Sequence, residues 1–181
     1  DTDERRRFAQ VSHEYLIEQV QEQSLNTSNK TQNLILNHPV KELIWTSSTE
    51  GTVGSQGWTG LQSPLSTLED TVLLTLNGQD RFAARDGKYF SRVQVWEYHT
   101  GPGGINASGN GVDTSSSGNL NDGICVYSFA LKPEEHQPSG TCNFSRIDTA
   151  QLIRSGNLAS TANTTVYAVN YNVLRIMSGM G

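Results

Sequence analysis

Charge is scarce in this sequence. Asp, Glu, Lys and Arg make up 17% of the 181 residues, against roughly 25% in ordinary soluble domains. Acidic residues outnumber basic ones, 18 to 13, for a net charge of −5. Without a basic excess the chain lacks the electrostatic footprint of a dedicated nucleic-acid binder, and so little charge argues equally against a charge-expanded disordered chain. Cysteine is scarcer still. Cys125 and Cys142 are too few for a disulfide scaffold, and too few for a zinc site without help from histidine. Both fall in predicted β segments, where a thiol serves as a small buried hydrophobe. Long apolar runs are missing: Val72, Leu73 and Leu74 form one of the longest, far short of the ~20 residues of a membrane span. Direct membrane insertion is therefore not expected. There is no initiating Met and no signal peptide. The chain starts at Asp1 in what reads as a helix, and the expectation is a piece of a longer protein.

The place of charge is taken by glycine, of which there are 17, and by Asn, Ser and Thr. That is a composition of turns and strand surfaces. Asp1 and Glu4 have capping-box spacing ahead of Arg5, Arg6 and Arg7, which predicts a short opening helix with a solvated basic face. Period-2 alternation bounded by turn residues predicts eight strands, at 14–24, 31–36, 42–48, 71–76, 79–84, 124–131, 146–154 and 165–177. Three are well marked. Val72, Leu74 and Leu76 share a face and lead into Asn77-Gly78, a strong two-residue hairpin signal. Cys125, Tyr127, Phe129 and Leu131 share another. Tyr167, Val169, Tyr171 and Val173 share a third, and that alternation breaks at Leu174, where the explanations are a bulge or burial of both faces. Stretches rich in Gly, Ser, Thr and Asn separate the strands at about 46–70, 98–123 and 155–164. They read as long surface loops of one domain. The fold class expected is all-β: an eight-stranded antiparallel jelly-roll sandwich over 1–181, with long loops and one or two short helices.

Motifs for chemistry fail one after another. His13, His38, His99 and His136 include no pair at chelating spacing and no His-x-His, which removes the usual metal site of cupin-type jelly rolls. They are expected as turn and surface histidines. Gly87-Lys88 lacks the remainder of a phosphate-binding loop. No Gly-x-Ser-x-Gly elbow is present. No catalytic, metal or cofactor-binding residue is nominated, and no enzyme is expected. One motif class does recur: Asn-x-Ser/Thr at Asn26, Asn29, Asn106, Asn143 and Asn163.

A family resemblance rests on longer blocks. Segment 127–148 (YSFALKPEEHQPSGTCNFSRID) resembles a signature of the major capsid proteins of nucleocytoplasmic large DNA viruses, nearest to the chlorovirus type. Segment 170–181 (NYNVLRIMSGMG) is similar to that family's C-terminal strand. Blocks 3–10 (DERRRFAQ), 13–19 (HEYLIEQ) and 76–83 (LNGQDRFA) agree, as do Asn37, His38, Pro39, Leu43, Trp45, Tyr89 and Phe90. The match spans every predicted strand in order and fails in the three loops.

The resemblance implies two consecutive jelly rolls per full-length chain, of which this is the second. It implies homotrimers forming pseudo-hexagonal capsomers of an icosahedral shell, in contact with neighbouring capsomers and minor capsid proteins. The location implied is the virion, after assembly in the host cytoplasm, and in that reducing compartment Cys125 and Cys142 are expected as thiols. It also implies glycans on loop asparagines, for which the candidates are Asn163, then Asn106, then Asn26 and Asn29. Asn143 is set aside as belonging to a buried turn, its amide bonded to backbone. Pro138 and Gly140 are expected to stiffen the turn between two strands, with Gly140 at positive φ. Two alternatives remain. One is a carbohydrate-binding jelly-roll module, for which Trp58 and Trp96 are the tryptophans in or next to loops while Trp45 is in a strand. The other is a cupin-like metalloenzyme.

Overall fold

The computed structural model describes residues 1–26, 29–49, 61–62, 70–101, 103, 123–156 and 162–177. Helix α1 (Thr2–Gln10) is capped by Asp1, whose side chain accepts from the Asp3 amide. The strands are β1 (His13–Leu25), β2 (Thr31–Asn33), β3 (Pro39–Thr49), β4 (Leu61–Gln62), β5 (Thr71–Leu76), β6 (Gln79–Asp80) and β7 (Arg85–Asp86). A π-turn over Tyr89–Val93 then runs into α2 (Gln94–Tyr98). The remaining strands are β8 (Ile124–Ser128), β9 (Cys142–Asn143), β10 (Ala150–Arg154) and β11 (Ala162–Ile176).

All pairings are antiparallel and fall into two sheets. In the first, β1 pairs with β11 and β11 with β3, and the far edge of β3 is shared by β9, β8 and β4 in turn. In the second, β2, β10 and β5 are neighbours, and β5 also takes β6 and β7. With the short bridging strands β4, β6 and β9 set aside, the sheets read first-eighth-third-sixth and second-seventh-fourth-fifth in chain order. That interleaving is the jelly roll.

The core lies between the sheets. Leu43, Trp45, Val166 and Ala168 face Val72, Leu74, Ala150 and Leu152, all at most 5% exposed. Phe90, delivered by the π-turn, packs 5.1 Å from Trp45 and 5.5 Å from Phe82, centroid to centroid. The Asn77-Gly78 turn forms as its sequence dictates: both residues have positive φ, 51° and 76°, and Leu76 pairs with Gln79. The Asn77 carboxamide also accepts from the Asp148 and Thr149 amides.

Several expectations shift. Of the strand expected over 79–84 only β6 forms: the Arg81 amide still donates to the Leu74 carbonyl, Phe82 then turns against the core, and the chain rejoins β5 as β7 at 85–86. The strand expected over 124–131 stops at Ser128, and Leu131 is 74% exposed. Residues 144–146 of the strand expected over 146–154 and its lead-in form a 3-10 turn instead. The irregularity in the last strand lies between Val169 and Asn170, not at Leu174. The π-turn and α2 are absent from the sequence reading, although Tyr89, Val93 and Trp96 have the i, i+4, i+7 spacing of a helical stripe; Val93 and Trp96 on that stripe are exposed.

Candidate assembly surfaces

Strand direction decides which connections share an end of the sandwich. Leu25 pairs with Thr164, Thr49 with Ala162, Thr46 with Ile124, Thr31 with Ile153 and Val72 with Arg154. The connections that follow β1, β3 and β10 therefore leave from one end, and the connection from α2 to β8 arrives there at Ile124. Three are the Gly, Ser, Thr and Asn-rich stretches of the sequence. The fourth, after β1, is pinned by its backbone. Buried Arg154 donates to the carbonyls of Asn29 at 2.6 Å and Asn26 at 3.4 Å, and the Gln32 amide donates to both at 2.6 Å. Asn26 and Asn29 are themselves exposed.

The structure thus places Asn26 and Asn29 together at this end. Asn163 is not in a loop as expected: β11 begins at Ala162, and Asn163 is in register with Ser48. Asn106, like Trp58, lies outside the described residues. Asn143 corrects the burial argument made for it. It is exposed, at the opposite end, because its side chain caps the 3-10 turn by accepting from the Ser145 amide at 3.1 Å. The expected bond to backbone is there; the burial is not.

The signature segment makes a cover. Residues 129–141 fold back over the outer face of the first sheet, anchored by the Phe129 and Ala130 amides, which donate to the Lys41 carbonyl at 2.9 and 3.2 Å. The Ser139 hydroxyl closes the turn on the Lys132 backbone. Gly140 has φ +149°, as expected for a residue free to take positive φ, and a Cβ there would stand 2.8 Å from the Phe129 carbonyl oxygen.

Beneath this cover lies a charged layer that the motif search missed. Lys41, its side chain 4% exposed, pairs with Glu18 at 2.7 Å and lies 5.5 Å over the Tyr171 ring. His136 reaches the same Glu18 oxygen at 3.4 Å. Buried Glu42 faces His99 Nε2 at 3.1 Å, and Glu134 faces His99 Nδ1 at 3.3 Å. Glu134 also accepts from the amide and hydroxyl of Thr100. The close contact and charge of Glu42, joined by those of Glu134, raise the His99 pKa above its ordinary value against the opposing effect of burial. His99 is thus no surface histidine. The available signal was adjacent Lys41 and Glu42 inside the otherwise apolar run 40–45.

Apolar side chains also reach solvent. Helix α1 buries nothing. Beyond Val40 the β1–β11 pair continues without β3 as a two-stranded ribbon. There the opposed pairs Leu16–Val173 and Tyr15–Leu174 are each 40% or more exposed on both sides. Trp96 is 79% exposed, whereas Trp45 is buried in the core. Among the described residues no cluster of three or more His, Cys, Asp or Glu is arranged to hold a metal, and no helix is long and apolar enough to cross a membrane. Cys125 is buried and Cys142 half-buried, both as thiols.

The family pattern described as large eukaryotic DNA virus major capsid protein matches residues 4–181. The chain belongs to that family. It is 48% identical to the major capsid protein of Pyramimonas orientalis virus over the whole chain and 45% of the relative, and 38% identical to that of Paramecium bursaria Chlorella virus 1 over the whole chain and 50% of the relative. It thus spans about half the length of the curated capsid proteins it matches. Among solved structures, a chain of the PBCV-1 virus capsid superposes on the whole of this chain and 53% of its own, with TM-score 0.66 and 32% identity. The Faustovirus major capsid protein shares the fold at TM-score 0.53 and 15% identity. These relatives are structural shell proteins, not enzymes, and nothing in them favours a lectin or cupin reading.

Proposed function

We propose that this capsid-family chain is the second of two jelly rolls in a major capsid protein that trimerises into pseudo-hexagonal capsomers of an icosahedral virion shell. The observation that carries the reading is the jelly-roll pairing order in a chain that matches capsid proteins along its whole length while spanning half of theirs. A shell places many copies through few distinct contacts, which closed symmetry supplies. The exposed ribbon and α1 offer apolar surface for the other half of the chain, and Trp96 offers an anchor for a neighbouring subunit. Neighbouring capsomers and minor capsid proteins are the partners in this reading, and assembly takes place in the host cytoplasm. The long connections at one end face outward, where sequence can vary without disturbing the sheets.

Glycans are assigned to Asn163, Asn106, Asn26 and Asn29, of which Asn163, Asn26 and Asn29 stand at that end. A glycan needs an exposed attachment point, which Asn26 and Asn29 satisfy. Native mass spectrometry of the full-length protein tests the assembly: a mass of three copies is expected, and monomer alone at micromolar concentration would refute it. Glycopeptide mapping of virion-derived protein tests the sites. Sugar on Asn143 without sugar at the other end would overturn the assignment.

A further inference from the structure

We propose that His99 is a proton-operated clamp: protonated, it fastens the turn 132–137 and the C-terminal end of α2 to β3, and on losing its proton it lets them go. The imidazole stands between carboxylates from two other elements, Glu42 of β3 at 3.1 Å from Nε2 and Glu134 of the turn at 3.3 Å from Nδ1. A neutral imidazole has one N–H, so it can donate to one of them only; the imidazolium has two. The Nε2 contact is off the hydrogen-bonding line and leaves Glu42 Oε2 and Nε2 without an aligned partner, so it is held by charge. Remove the charge and a buried carboxylate faces a lone pair or a poorly aligned N–H, which is costly in a low-dielectric site.

The surrounding groups cannot substitute. Lys41, beside Glu42 on β3, is engaged by Glu18 of β1 and covers Tyr171 of β11. His136 of the turn also faces Glu18, and Lys132 pairs with Glu135 on the turn's outer side. His99 is the cation that bridges two of the packed segments to a third. Glu134 adds a second tie, accepting from the Thr100 amide at 2.9 Å. That bond comes first, ahead of the contributions of the Thr100 hydroxyl and His99, in holding the Glu134 carboxyl below its ordinary range, although the group is exposed.

The direction of the pH effect follows. Because His99 titrates higher when folded, its contribution is complete below the ordinary histidine value of about 6.5 and is lost as pH rises through the folded value. The Glu134 contribution is lost at the other extreme, as acid protonates the carboxylate. The clamp is therefore closed below the ordinary histidine value and opens as pH rises through the raised folded value.

Hydrogen exchange on the full-length protein tests this, with protection corrected for intrinsic rates at about pH 6 and about pH 8.5. Peptides covering 95–101 and 129–138 should lose protection several-fold at the higher pH, while core peptides of β5 and β10 hold theirs. In His99→Gln the difference between the two pH values should vanish. Glu134→Gln should lower protection at pH 6 and shrink the difference, and His136→Gln should keep it whole. Equal protection of the wild-type peptides at both pH values would overturn the clamp, as would a pH difference that survives in His99→Gln or disappears in His136→Gln.

Discussion

The two faces of the first sheet are covered by different chemistry. Its inner face meets the second sheet through Leu43, Trp45, Val166 and Ala168, a dry layer completed by Phe90. Its outer face, under the turn 129–141, buries Lys41, Glu42 and Tyr171 and is tied by ion pairs. The same strand, β3, serves both, with Leu43 pointing one way and Glu42 the other. A hydrophobic layer is non-directional and tolerates what fills it if volume is kept. An ionic layer demands every partner, because a buried charge left alone costs more than the pair contributes. The inner face therefore supplies stability, and the outer face fixes where one turn sits.

Substitutions on each face sharpen the contrast. Trp45→Ala should have the largest effect, about 3–5 kcal/mol in denaturant unfolding, because it removes the aromatic on which Phe90 packs. Lys41→Ala should cost about 2–3 kcal/mol, below the fully buried limit because Glu18 remains one-third exposed. Lys41→Met keeps the stem over Tyr171 but leaves Glu18 without its cation, so it should recover only the packing part of that loss; full recovery would mean that packing, not charge, holds the site. Gly140→Ala should cost about 1–3 kcal/mol through strain at φ +149° and the clash with the Phe129 carbonyl. Hydrogen exchange should show that loss in the turn before the core. Asn77→Ala should be mildest, about 1–2 kcal/mol by thermal unfolding, for a positive φ and two lost hydrogen bonds to 148–149.

Legibility in the sequence followed the same division. Alternation marked Val72 and Leu74 as core, and Asn77-Gly78 marked the hairpin, because both signals are local. Burial on the outer face arises only when 129–141 folds over β3, a contact between segments some ninety residues apart in the chain, so the sequence reading did not single out Lys41 and Glu42. Asn143 misled in the opposite sense, since membership of the signature segment was taken for burial when its side chain serves as an exposed cap. Gln21 and Gln23 gave no signal at all. Their amides act as backbone substitutes, each donating to and accepting from the segment 33–37 and closing the edge between the sheets. Tertiary pairing of that kind has no period to detect.

The central claim is that this jelly roll is one half of a shell subunit whose long connections share the outward end. A virion reconstruction at side-chain detail tests it most directly. The account predicts three copies per capsomer, each with two jelly rolls. In the second, His13 should pair with Ile176, and the connections after β1, β3, α2 and β10 should stand on the outer surface. A shell lacking this chain, or one in which those connections face the interior while Asn143 faces out, would contradict it.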